Sequence, residues 1–336
     1  MVLVTGGTGY IGSHVAVELL NAGYQVLIID DLSNSSPLVL DRIERICGKR
    51  PGFIKCNVAD TDPLRKVFSD HPIDSVIHLA GLKSAPESVS EPVKYYSNNL
   101  NATLCLLKAM SEYGCRKLVF SSSATVYGVS GAPPFSEDSP TSCTNPYGWS
   151  KLMSERIITD ACTADPSLKA VLLRYFNPVG SHESGLIGED PAGVPLNLFP
   201  YICQVAVGRL EKLHVNGNDY PTEDGTGVRD YIHVTDLAAG HLKALNYLSN
   251  HDGVRVFNLG TGKGCSVLQM ISAFEQATGI TIPYEISPRR PGDVPSCWAD
   301  VTRAERELGW KASRDINDMC RDGWNWQSKN PMGYRQ

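Results

Sequence analysis

A block of like charge, a paired-cysteine pattern and a long apolar run are all missing from this chain of 336 residues. Its 31 basic residues are spread among 36 acidic ones with no basic stripe, which argues against a nucleic-acid partner. The longest apolar stretches, such as 26–29, are strand-sized, so no membrane span is expected. The ten cysteines lie scattered from Cys47 to Cys320, with no C-x-x-C pair and no His/Cys cluster at ligand spacing. Neither a disulfide scaffold nor a metal site is therefore expected. No repeat period or low-complexity tract appears, which removes solenoids and disordered tails. Scattered thiols, and an opening strand with no charged and apolar leader pattern, predict a cytoplasmic protein.

What is present is a globular composition. Hydrophobic residues make up 42%, enough for a large core, and the length suggests about two domains. The first half alternates apolar runs at 2–5, 25–30, 52–55, 75–79, 117–121 and 170–174 with helical stretches at 9–22, 37–47, 62–69, 87–113 and 146–164. Strands apolar on both faces and separated by helices predict an α/β fold, a Rossmann-type, doubly wound parallel sheet. In the long stretch 87–113, Leu100, Leu104, Leu107 and Met110 recur at helical spacing and are expected to face the core. After Arg174 the chain turns rich in Gly, Pro, Asn and Asp. Helices are expected at 198–207, 234–248 and 266–277, with strands at 254–259 and 282–286. The reading is a nucleotide-binding domain at 1–176, with later segments interleaved, and a smaller irregular lobe at 177–336.

Two local patterns carry chemistry. The first strand runs into Gly6-Gly7-Thr8-Gly9-Tyr10-Ile11-Gly12 and then a helix. Gly6, Gly9 and Gly12 allow a tight turn, close approach of backbone to a pyrophosphate, and close helix–strand packing. The second strand ends at Asp30, about twenty residues on, where an acid accepts from ribose hydroxyls. Asp31 adds to the repulsion of a 2′-phosphate, so the expected cofactor is NAD, not NADP. The second pattern is Tyr147 and Lys151, four apart at the start of a helix and so on one face. A free tyrosine is a poor base near neutrality. Lowering its pKa by ~3 units requires about 4 kcal/mol, and a nearby Lys⁺ and an oxidised nicotinamide ring act in that direction. The run Ser121-Ser122-Ser123 sits at the carboxyl end of a central strand, where open α/β sheets bind ligands.

These residues resemble the extended short-chain dehydrogenase/reductase family. Further stretches are similar to its UDP-hexose 4-epimerases: Gly81-Leu82-Lys83, the run 174–180 from Arg174, Gly217-Asn218-Asp219-Tyr220, the run 222–233 and Pro288-Arg289-Arg290. The resemblance continues through Trp310 to Trp326. It implies inversion at C4 of a UDP-hexose with NAD tightly held, and a homodimer in which the helices at 87–113 and 146–164 pair. Tyr147 would take the C4 hydroxyl proton, Ser123 would bridge the sugar oxygen and Tyr147, and Lys151 would hold the nicotinamide ribose.

By the same resemblance the cofactor contacts are Tyr10, Ile11, Asp30, Asp31, Leu32, Ser33, Asn34, Ser35, Asn57 and Val58. To these it adds Leu79, Ala80, Gly81, Leu82, Lys83, Asn98 and Phe176. Substrate contacts would be Lys83, Asn177, Asn197, Arg229, Arg290, Asp293 and Cys297, the two arginines suiting a diphosphate. Three positions depart from the pattern. Asn57 replaces an Asp beside the adenine, Asn216 stands where an aromatic is usual, and Cys297 replaces a Tyr found in epimerases confined to smaller sugars. That last change implies that N-acetylated UDP-hexoses are substrates as well. Two alternatives share the fold: a nucleotide-sugar 4,6-dehydratase, which needs an acid and base where Ala124 and Thr125 stand, and a non-catalytic NAD sensor.

Overall fold

A computed structural model describes residues 1–129, 131–290 and 292–334. Seven parallel strands form the central sheet: β1 (Val2–Thr5), β2 (Val26–Asp30), β3 (Gly52–Lys55), β4 (Ser75–His78), β5 (Lys117–Ser123), β6 (Lys169–Tyr175) and, from far along the chain, Val254–Leu259. The order across the sheet is 254–259, β6, β5, β4, β1, β2, β3. The order reverses between β1 and β4, and the carboxyl ends of those strands border the crevice where such sheets bind ligands.

Successive side chains of a strand point to opposite faces, and the two faces carry separate cores. Val4, Ile28, Ile77, Val119 and Val171 pack under α1 (Tyr10–Asn21) and α2 (Leu38–Cys47). Leu3, Leu27, Val76, Leu118 and Leu172 pack under α3 (Thr61–Asp70), α5 (Pro92–Glu112) and α6 (Pro146–Ala164).

The long helix expected at 87–113 is two helices, α4 (Ala85–Ser90) and α5. Pro92 lacks the N–H that a continuous helix needs, and Glu91 between them takes φ −125° and ψ 53°. Of the stripe expected to face the core, Met110 is buried and Leu107 packs against the core, but Leu104 is exposed, and Ala102, Leu106 and Ala109 supply the rest of the buried face.

Beyond β6 the chain forms β7 (Asn177–Val179), α7 (Leu198–Ala206), β8 (Leu213–Asn216), β9 (Val228–Arg229), β10 (Tyr231–His233) and α8 (Val234–Tyr247). The chain then adds β11 (Val254–Leu259), β12 (Cys265–Ser266), α9 (Val267–Thr278), β13 (Tyr284–Ser287), β14 (Ser296–Cys297) and α10 (Ile316–Lys329). The lobe's own core gathers Phe199, Ile202, Val215, Met270, Phe274 and Met319. The elements α8 and β11 return to the first domain. Leu237, Ala238 and Leu245 of α8 join the core beneath α1, and β11 pairs along β6 from Val254↔Ala170 to Leu259↔Tyr175. Among the described residues no helix is long and apolar enough to cross a membrane.

Candidate active site

The glycine loop is compact because nothing but backbone fits in it. A Cβ on Gly12 would stand 2.2 Å from the Gly6 carbonyl oxygen, and one on Gly6 would stand 2.8 Å from the Ala80 nitrogen. Gly6 also has φ +68°, a left-handed conformation that favours glycine. Bare amides at the start of α1 then face the crevice, an arrangement that fits a pyrophosphate. Asp30 closes the far side of the loop. Its carboxylate accepts from the Thr8 N–H (3.1 Å), the Leu32 N–H (3.0 Å) and the Ser35 hydroxyl (3.0 Å). Asp31 accepts from Ser33 through both its N–H (2.9 Å) and its hydroxyl (2.6 Å), while Asn34 is exposed at the tip. Within this turn Leu32 has φ +63°, the one non-glycine positive φ among the described residues. Held carboxylates on a tight turn fit an adenosine ribose, so the residues present suit NAD.

After β4 the chain passes through Leu79, Ala80, Gly81, Leu82 and Lys83. The Leu79 and Ala80 amides donate to the Thr5 hydroxyl at 3.2 and 3.1 Å. Lys83 reaches across the crevice to Glu189 of the lobe at 3.0 Å. Tyr10 makes a second bridge, donating to the Gly180 carbonyl at 2.7 Å. Ile11 packs on the core below. Asn57 turns its amide oxygen onto the Ala59 N–H (3.0 Å), with Val58 buried beside it, beyond the end of β3.

Ser123, Tyr147 and Lys151 converge where β5 ends and α6 begins. Asn145 caps α6, its side chain accepting from the Gly148 N–H at 2.9 Å, and this sets the first turn that carries Tyr147. The Ser123 hydroxyl accepts from the Thr125 N–H at 3.2 Å and stands beside the phenol, favouring its ionised form. Burial acts more strongly and pushes the Tyr147 pKa up. Lys151 is buried, and Tyr147 is half-buried. Its Nζ donates to the Ser121 carbonyl at 2.8 Å and lies 5.9 Å from the Tyr147 ring centre. Burial lowers the Lys151 pKa to about 8, with Glu155 acting in the opposite sense.

The remaining positions lie on the lobe's side of the crevice. Phe176 is buried against Tyr127, and Asn177 follows it into β7. Arg229 and Cys297 sit opposite each other in the β9–β14 pairing, and Asp293 approaches Arg229 at 3.8 Å. The Cys297 side chain packs on the cluster of Val126, Tyr127 and Phe176, against which Ala124 also packs. Arg290 donates to the Leu196 carbonyl at 3.1 Å, immediately before Asn197.

Two supporting groups escaped the sequence reading. Asn99, rather than its half-buried neighbour Asn98, makes the contacts that hold the 79–83 segment. Its Oδ1 accepts from the Leu82 N–H (2.8 Å), and its Nδ2 donates to the Leu82 carbonyl (3.1 Å) and to Ser150 (2.9 Å). The signal was a pair of small polar residues four apart on each helix, Asn99 and Thr103 facing Ser150 and Ser154. Beneath the serine run at the end of β5, Glu155 accepts from Ser122 (2.5 Å) and forms a buried two-pronged ion pair with Arg174 (3.0 and 2.7 Å). Glu155 stands one turn beyond Lys151, but only the fold brings Arg174 to it.

The chain matches the family model described as GDP-mannose 4,6 dehydratase over residues 3–323. It is 56% identical to a UDP-glucose 4-epimerase of Bacillus subtilis (strain 168) over 334 residues, covering 99% of this chain and 98% of the relative. Its structure is similar to that of UDP-glucose 4-epimerase from Bifidobacterium longum in complex with NAD⁺ and UDP, with TM-score 0.96, 55% identity and 99% of each chain covered. A second similar structure is the UDP-glucose 4-epimerase of Stenotrophomonas maltophila with bound NAD and formylated UDP-arabinopyranose, with TM-score 0.96, 49% identity and 98% of each chain covered.

Proposed function

The chain belongs to the UDP-glucose 4-epimerase family, and from that premise we propose that it inverts C4 of UDP-hexoses, interconverting UDP-glucose and UDP-galactose with NAD as cofactor. Likeness along the whole chain carries this reading. The meeting of Ser123, Tyr147 and Lys151 beside the glycine loop supports the division of labour within it.

When bound, NAD supplies the acceptor and later donor of the C4 hydride, the sugar passing through a 4-keto form between the two transfers. The glycine loop and α1 would hold its pyrophosphate, Asp30 its adenosine ribose and Lys151 its nicotinamide ribose. Tyr147 receives the C4 hydroxyl proton and returns it, and Ser123 hydrogen-bonds the same sugar oxygen. Left to itself the protein keeps the phenol neutral, because burial outweighs the Ser123 contact. The charged ammonium of Lys151 favours the phenolate, so Lys151 must be protonated for Tyr147 to act as base. Arg229 and Arg290 take the diphosphate. Cys297 lacks the phenol ring that a tyrosine would place there, which would leave room for a 2-N-acetyl group, and the proposed substrate range includes N-acetylated UDP-hexoses.

The dehydratase description of the family model does not extend to the reaction. Eliminating water requires an acid and a base next to the strand-five serine, and Ala124 and Thr125 stand there. Ala124 has nothing to transfer, and the Thr125 hydroxyl donates to Ser123 at 3.0 Å. A silent NAD sensor would have no use for the Tyr147–Lys151 pair.

The division of labour follows the interleaving. Residues 1–176, with α8 and β11, form the cofactor domain, and the rest of 177–336 is mainly the nucleotide-sugar lobe. The cytoplasm is the proposed compartment, in keeping with ten free cysteines. A homodimer is proposed through α5 and α6, whose outer faces expose Val93, Leu104, Trp149 and Met153. Light scattering should give twice the chain mass, and Met153→Glu should halve it; a monomeric wild type sinks that assembly.

The test of function is turnover of UDP-galactose and UDP-N-acetylgalactosamine, side by side, by purified protein. Conversion of UDP-galactose to UDP-glucose with no added cofactor supports the reading. Absence of turnover with NAD present, or release of water to give a 4-keto-6-deoxy sugar, overturns it.

A further inference from the structure

Arg289 and Arg290 are adjacent, yet the structure uses them in opposite ways. Arg289 is committed: its Nε donates to the Asp219 carboxylate at 2.6 Å, and its guanidinium lies 4.2 Å from the Tyr220 ring centre. Arg229 has Asp293 at 3.8 Å. Arg290 has no carboxylate partner among the described residues. Its Nη1 donates to the Leu196 carbonyl at 3.1 Å. Its other edge meets Asn216, whose amide oxygen, turned towards it, accepts from Nε at 3.2 Å and from Nη2 at 3.3 Å. The opposite turn of that amide yields only a 3.4 Å contact to the His214 carbonyl, so two bonds from a cation favour the first. Asn216 ends β8 in register with Ser287 of β13, and the Gly217 N–H donates to the Ser287 carbonyl at 2.8 Å. The amide therefore stands on a paired strand end, not on a free loop.

We propose that Asn216 is a positioning residue that holds Arg290 by a neutral acceptor, so that the whole guanidinium charge remains for the diphosphate of the nucleotide sugar. This rests on the reading of the crevice as a UDP-sugar site. A carboxylate at 216 would orient the guanidinium equally well but cancel the charge the ligand needs. An aromatic ring, usual at this position in the family that the chain resembles, offers no in-plane acceptor at all. The amide orients without neutralising, and it acts on the diphosphate end of the ligand, not on the base.

The experiment is calorimetric titration of the NAD-loaded protein with UDP and, separately, with uridine. The variants are Asn216→Ala, Asn216→Asp and Arg290→Ala. Losing a hydrogen bond to a charged group should weaken UDP about ten-fold in Asn216→Ala. Asn216→Asp should weaken it further, although it keeps an acceptor. Uridine affinity should stay within about two-fold of wild type in both variants, because no phosphate is present to report on Arg290. In the Arg290→Ala background, Asn216→Ala should have no further effect on UDP. Equal losses for UDP and uridine would show that residue 216 acts through the base, and UDP affinity unchanged in Asn216→Asp would show that the charge of Arg290 is not what it guards. Either overturns the proposal. Failure of wild type to bind UDP, or indifference to Arg290→Ala, instead overturns the assignment of the site itself.

Discussion

Lys151 Nζ donates to the Ser121 carbonyl at 2.8 Å, joining the first turns of α6 to the end of β5 from inside the protein. The bond fixes the ammonium 5.9 Å from the Tyr147 ring centre, close enough to act on the phenol through its field without bonding to it. Lys151 is buried and Tyr147 partly so, and loss of water shifts them towards their neutral forms: Tyr147 upwards, Lys151 downwards to about 8. Function of the pair then depends on keeping the lysine charged.

Turnover should fall as pH rises through about 8, where Lys151 loses its proton and with it the field that favours the phenolate. Tyr147→Phe should lower kcat by ~10²–10⁴-fold while leaving NAD bound. A pH–rate profile of both proteins checks this. Near wild-type turnover in Tyr147→Phe would move the proton acceptor elsewhere, with Ser123 the next candidate.

Asp30 accepts from three donors of the loop around it, so its carboxylate is held in place before any ribose arrives. Reconstitution of apoprotein should show a preference for NAD over NADP, since the carboxylates of Asp30 and Asp31 repel a 2′-phosphate. Asp30→Ala should weaken NAD and narrow the gap between the two cofactors. Equal affinity of the wild type for both dinucleotides would defeat the ribose assignment.

Cys297 packs, as Ala124 does, against the cluster of Val126, Tyr127 and Phe176, and its thiol lacks the ring that a tyrosine would place there. Cys297→Tyr should suppress turnover of UDP-N-acetylgalactosamine about ten- to hundred-fold, ~1–3 kcal/mol of overpacking, and spare UDP-galactose. A wild type active on UDP-galactose but inert towards the N-acetylated sugar would show that Cys297 does not open the pocket.

Three buried histidines should set the acid limit of stability. Burial lowers His14 and His78 to about 3 and His241 to about 4, so all three are neutral in the fold. The unfolded chain takes up protons below about 6.5, and the folded chain does not until far lower. Stability present above pH 6.5 is therefore lost as pH falls from 6.5 towards 4. The slope is up to about 1.4 kcal/mol per pH unit for each histidine. Urea unfolding across this window checks the slope, and His78→Gln, which keeps a polar partner for Thr5 (2.7 Å from His78), should reduce it by about one histidine's share. An unchanged slope in that variant would rule out His78 as a contributor.

The sequence by itself determined what depends on near neighbours. The strand–glycine loop–helix unit, Asp30 at the end of β2 and the four-residue spacing of Tyr147 and Lys151 are local, so backbone geometry and periodicity sufficed to read them. The helix break at Pro92 is equally local, because a missing N–H at 92 ends a helix whatever apolar period runs across it. Tertiary structure alone decided the rest. It sent β11 back to the edge of the central sheet, because a strand is paired by packing and not by its place in the chain. It brought Lys83 to Glu189, Glu155 to Arg174 and Asn216 to Arg290, contacts between residues far apart in the chain. It also set the direction in which Tyr147 and Lys151 are shifted, since the cost of charging them depends on how much water the surrounding atoms exclude, and no spacing of residues along a chain records that.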